Sequence, residues 1–181
     1  MSKNWTILET LKYTRHDWLN RLQLIKGNIS LGKTEQAERI MDEIVMEMQQ
    51  EAMLSNIELP RFAEKLLTHN WSGSHFKVEY ELITLPKKFP LHDDMLTEWI
   101  CAFFEQLNKA ILPFYENCLY VKIESTEEMV RFLFEFNGII ENETELKKWL
   151  QSNDNYPDQV EFDQVGENDW LIQAVFYQMN G

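Results

Sequence analysis

The stretch Thr14–Asn28, TRHDWLNRLQLIKGN, decides how the first part of the chain is read. It lies within a segment in which Leu8, Leu11, Trp18, Leu22, Ile25 and Ile29 recur at three- and four-residue spacing, with Arg15 as the only break. The pattern predicts a helix over residues 5–31, about 27 residues and roughly 40 Å long at the usual rise per residue. Gly32 supplies a stop and Thr34 a helix N-cap, with Glu35 and Glu38 in a first turn where the helix dipole favours anions. A second helix follows to about Leu54, with Ala37, Ile40, Met41, Ile44, Val45 and Met48 as its apolar stripe. Two antiparallel helices give each other only one side to bury, and both stripes are broad. The expectation is a homodimer in which two hairpins form a four-helix bundle, the alternative being stripes that pack on the rest of the same chain.

Beyond Pro60 the texture changes to mixed segments. Residues 62–70 and 144–150 read as short helices and 94–115 as a long one. Strands are expected over 76–83, 119–124, 130–136, 160–165 and 170–177. The order α, β, α, β, β, α, β, β predicts a layered α/β sandwich with a mixed sheet. The fold class is therefore α+β, with a helical hairpin over residues 1–56 and an α/β domain over 57–181. Trp71, Trp99, Trp149 and Trp170 are assigned to the core or to an interdomain position, and the acidic run Glu141–Glu145 to a solvated helix start.

The composition narrows the function classes. The chain has 181 residues, 44% of them apolar, enough for a real core. Its formal net charge of −13 argues against nucleic acid as the main partner. The charge is uneven: residues 1–33 hold Lys3, Lys12, Arg15, Arg21, Lys26 and Lys33 against Glu9 and Asp17, a local surplus of positive charge. No apolar run approaches the roughly 20 residues needed to span a bilayer, and the N-terminus lacks a signal-peptide core. A cytoplasmic protein is expected. Cys101 and Cys118 lack metal-ligand spacing and are read as reduced structural thiols. The scattered His16, His69, His75 and His92 show no zinc pattern, so no metal site is expected.

His16 falls one step off the apolar seam, on the outward side of the first helix. Its helical neighbours are Lys12, Tyr13, Leu19 and Asn20, with Arg15 and Asp17 adjacent in sequence. A neutral imidazole is abundant near neutral pH and nucleophilic enough to attack a phosphoryl group. Asp17 can orient the ring, while Lys12, Arg15 or Asn20 can face the transferring oxygens. On chemistry alone, an ordinary solvated histidine remains the bland alternative.

The run RHDWLNRLQLIKGNISLGK, Arg15–Lys33, resembles the histidine-bearing first helix and turn of the sporulation initiation phosphotransferase family of spore-forming bacilli, whose pattern is close to RHDWxNxLQLIKGN. More loosely it resembles the histidine box RHDxxNxLQxIxG of citrate/fumarate-type sensor kinases. The resemblance implies that His16 is a phosphoacceptor, that the hairpin dimerises, and that the C-terminal domain is shaped like a kinase ATP-binding domain. It also implies that a phosphoryl group passes between the aspartates of two response regulators.

Sensor kinases carry an asparagine box, NLLxNA, and then an Asp-Gly box, DxGxG. EQLNKAI, Glu105–Ile111, aligns with the first and puts Glu105 and Lys109 where asparagines are expected; a lysine cannot ligate magnesium. FNGII, Phe136–Ile140, aligns with the second, so Phe136 replaces the adenine-reading aspartate and only Gly138 survives. No glycine-rich loop follows to cradle a triphosphate. The expectation is a degenerate kinase fold without ATP, whose phosphoryl group comes from an aspartyl phosphate on a receiver domain. The receivers would bring their own magnesium, so no cofactor is expected. Tyr13, Leu19 and Gln23 are the expected receiver contacts, and the cationic first helix suits an acidic receiver pocket. The competing reading is a degenerate kinase-like docking protein that binds receivers without turnover; an active autokinase is disfavoured by the box substitutions.

Overall fold

A computed structural model of the chain describes residues 5–84, 89–152 and 156–178. Two long helices come first, α1 (Ile7–Ser30) and α2 (Thr34–Ser55). They are followed by α3 (Pro60–Thr68), β1 (Lys77–Thr84), α4 (Asp93–Ala110), β2 (Cys118–Ser125), β3 (Met129–Asn137), α5 (Glu143–Gln151), β4 (Gln159–Gln164) and β5 (Asp169–Tyr177). The chain forms two compact units, Met1–Ala52 and Met53–Gly181.

In the first unit α1 has 24 residues, shorter than the expected 27 because Thr6 fixes its start. The Thr6 hydroxyl accepts from Glu9 N at 3.2 Å and the Glu9 carboxylate accepts from Thr6 N at 3.0 Å, a reciprocal cap for two otherwise orphaned amides. Gly32 takes φ of +71° at the turn, a conformation open to glycine at little cost. α2 begins at Thr34 itself, so Thr34 is the first helical residue and not the cap.

The broad apolar stripe of α1 divides in two. Arg21, Ile25 and Asn28 are partly covered, as are Ile44 and Met48 of α2, while Ala37 and Ile40 are buried. Arg21 and Glu47 form an ion pair across the hairpin. Leu8, Leu11, Trp18, Leu22 and Ile29 stay open to solvent at 40–80% exposure, and no residue of α1 is fully buried.

The second unit is a mixed five-stranded sheet in the order β1-β2-β3-β5-β4. β1 and β2 are parallel, joined by the crossover helix α4; the other pairings are antiparallel. Alternation is clean. Leu119, Val121 and Ile123 of β2, Val130, Phe132, Phe134 and Phe136 of β3, and Trp170, Ile172, Ala174 and Phe176 of β5 lie in one core with Leu96, Trp99, Ile100, Phe103 and Leu107 of α4. Leu54, at the end of α2, is also fully buried in this core. The intervening residues of the strands form a ladder of paired charges, with Lys122–Glu135 at 2.6 Å and Arg131–Glu124 at 3.2 Å. Such pairing of opposite charges across strands keeps an open sheet face soluble.

α3 has no side-chain cap of its own; the Asp93 carboxylate at the start of α4 accepts from Arg61 N and Phe62 N, both at 2.9 Å. α4 ends at Ala110, not near Tyr115. Ile111 turns extended and bridges to Ile140, and Pro113 cannot continue a helix. Trp99 and Trp170 are buried, while Trp71 and Trp149 are only partly covered, Trp149 packing on the core. The acidic run opens α5, where Glu143 pairs with Lys147 and Glu145 with Lys148. Cys101 and Cys118 are free thiols.

Candidate phosphoacceptor site

Consecutive residues of a helix point about 100° apart, so a side chain's company is set three and four positions away. By this rule His16, two residues short of Trp18, points away from both apolar faces of α1. Its side chain is 72% exposed, enough for a macromolecular partner to reach the ring.

Two neighbours hold that ring, and both act on the same nitrogen. Asn20 Nδ2 lies 3.2 Å from His16 Nδ1, and Asp17 Oδ1 lies 3.6 Å from it. Among the described residues no hydrogen-bond partner stands at Nε2. The Asn20 amide nitrogen donates to Nδ1 while that nitrogen carries the lone pair; Asp17 beside it favours a proton on Nδ1, and the amide then presents its oxygen instead. Nε2 then keeps its lone pair and faces outward.

Of the other expected residues, Leu19 is 52% exposed, and Lys12 and Gln23 are exposed on the same outward arc. Tyr13 is one turn before His16, its ring edge-on to Trp5 at 5.1 Å between centroids. Arg15 lines up along the helix with Leu11, Trp18 and Leu22, so it borders the open apolar face more than the imidazole. The cap residues Thr6 and Glu9 were not anticipated as the start of α1, although a Thr-x-x-Glu signature is present.

In the second unit, Glu105 and Lys109 form a 2.7 Å ion pair across one turn of α4. The hydrogen bond from Lys109 holds the Glu105 carboxyl below the usual carboxylate range. Phe136 is 1% exposed within the core, and Trp149 of α5 stacks on Phe103 at 6.3 Å. The aligned residues are thus committed to a surface ion pair and to core packing. Among the described residues no cluster of histidine, cysteine or carboxylate side chains is arranged to hold a metal ion, and no helix is long and apolar enough to cross a membrane.

A histidine displayed on a two-helix hairpin, followed by an α/β layer of this order, places the chain in the structural class of sensor-kinase cores. The histidine kinase AdeS of Acinetobacter baumannii superposes with a TM-score of 0.50 at 10% identity, covering 91% of this chain and 98% of that one. At that identity the likeness concerns the fold. Residues 58–177 match the family described as sporulation initiation phospho-transferase B, C-terminal, and residues 1–57 the sensor kinase SpoOB-type alpha-helical domain. The chain belongs to the sporulation initiation phosphotransferase B family. It is 34% identical over 119 residues to sporulation initiation phosphotransferase B of Bacillus subtilis (strain 168), a match over 66% of this chain and 62% of that protein's length.

Proposed function

We propose that this chain is a phosphorelay phosphotransferase acting through His16. The observation that carries the reading is the exposed imidazole whose two contacts, Asn20 and Asp17, both fall on Nδ1 and leave Nε2 outward. Family membership supports it.

In the proposed reaction a receiver domain docks with its aspartyl phosphate in line with Nε2. The Nε2 lone pair attacks phosphorus, the bond between phosphorus and the aspartyl oxygen breaks, and the carboxylate leaves with that electron pair. The imidazole becomes a phosphohistidine whose Nδ1 proton and positive charge are stabilised by Asp17. A second receiver, in a pathway controlling sporulation, takes the group by the reverse chemistry: its aspartate attacks phosphorus and the N–P bond breaks. Little covalent work falls to the protein beyond positioning. Magnesium belongs to the receivers' acidic pockets. Lys12, Leu19, Gln23 and Tyr13 border the ring as the docking surface, and the surplus positive charge of the first segment speeds encounter with an acidic partner.

The hairpin over 1–56 serves as the dimerisation and phosphoacceptor domain. Its support is the open face of Leu8, Leu11, Trp18, Leu22 and Ile29 on α1 with Met41 and Val45 on α2, too large an apolar surface to leave in water. The domain over 57–181 keeps a kinase-like frame without nucleotide, a reading supported by the Glu105–Lys109 pair and the buried Phe136. The setting is the cytoplasm. The test uses a receiver bearing labelled aspartyl phosphate. Label should move to this chain, survive base, be lost in acid, and fail to appear on His16→Ala. Binding of the receiver without transfer would favour a docking role instead.

A further inference from the structure

His69 opens a short 3-10 turn, His69–Trp71, at the corner between α3 and β1. Its ring is 3% exposed, and neither Nδ1 nor Nε2 has a hydrogen-bond partner among the described residues. Two phenylalanines enclose it, Phe76 at 4.6 Å and Phe104 of α4 at 4.7 Å between centroids. The charged group acting on the ring is Lys65 of α3, which repels a second positive charge; the main chain of Phe76 favours that charge, but less than burial and Lys65 oppose it. Burial and Lys65 together hold the imidazole down to about 4.

The corner sits at the weak end of the sheet. β1 is an edge strand whose only strand partner among the described residues is β2. It is tied to the turn by amide groups: Asn70 bonds Val78 N and Val78 O, both at 2.8 Å, and Asn108 Oδ1 accepts from Ser74 Oγ at 2.9 Å and His75 N at 2.8 Å. Asn117 Nδ2 donates to His75 O at 3.0 Å. Amides do not change charge in mild acid, so these ties hold at constant strength. His75, the other histidine at the corner, is exposed.

We propose that His69 is an acid-sensitive latch: protonation of its buried ring opens the α3–β1 corner at the sheet edge. The sign follows from linkage. An opened corner gives His69 back its ordinary proton affinity, so the open form binds the proton more tightly than the closed one. The closed corner is fully favoured above pH 6.5, loses ground as pH falls, and stops losing it near 4, a span worth about 300-fold in the open-to-closed ratio.

Hydrogen exchange followed by mass spectrometry on the full chain between pH 7 and 4.5, corrected for intrinsic exchange, tests the latch. Protection over residues 69–80 should fall by tens of fold more than protection in β2 and β3. The excess should vanish in His69→Leu and persist in His75→Gln. An unchanged pH response in His69→Leu would overturn the proposal. So would a histidine-detected NMR titration of the wild type in which His69 titrates near 6.5, a measurement that decides even if the variant fails to fold.

Discussion

A Cβ added to Gly138 would stand 2.3 Å from Asn117 Oδ1 and 2.6 Å from Phe136 Cζ. Asn117, 4% exposed, donates to His75 O and Leu112 O and accepts from Ile139 N, so one buried amide ties three loops together. Gly138→Ala should therefore destabilise the protein by about 2–4 kcal/mol through forced displacement of that amide or of Phe136. Urea unfolding measures it; an unchanged midpoint would mean that the loop yields freely. The glycine is visible in the sequence as the remnant of a kinase box, but its packing reason is not, because Asn117 lies 21 positions away. His16 stands differently: its exposed position follows from spacing within one helix, as does the nearness of Asn20, whereas the concentration of Asn20 and Asp17 on Nδ1 depends on rotamers that spacing does not set.

Within the hairpin, the two helices and their turn could be read from local signals, since apolar period, Gly32 and first-turn acids all act within a few residues. The division of the α1 stripe was harder to see. Ile25 is partly covered, one turn from the Arg21 that pairs with Glu47 of α2, whereas Leu22, three positions earlier, remains 55% exposed, and both look equally apolar in sequence. The division sharpens the test of dimerisation. Leu22→Lys or Val45→Lys should give a monomer that keeps its helicity, because each places charge on the open face only. Ile25→Lys should also weaken the hairpin itself, by about 2–4 kcal/mol. Sedimentation with circular dichroism separates these outcomes. A wild type that sediments as a monomer would remove the four-helix bundle.

Taken as a whole, the molecule shows its order of elements in sequence better than its sheet. Each element has its own period, but the order β1-β2-β3-β5-β4 is set by pairings between distant segments, such as β3 with β5. The fate of the kinase boxes belongs to this scale too, because Phe136 is buried in the core to which the sheet, α4 and α5 all contribute. Calorimetric titration with ATP and magnesium should give no binding heat; micromolar affinity would contradict the proposed loss of nucleotide binding. The central claim is turnover through His16. With this chain at a small fraction of the concentration of two receivers, one carrying labelled aspartyl phosphate, the label reaching the second receiver should exceed the amount of this chain many times over. His16→Ala should reduce it to the uncatalysed level. Equal transfer by His16→Ala, or none by the wild type, would contradict the account.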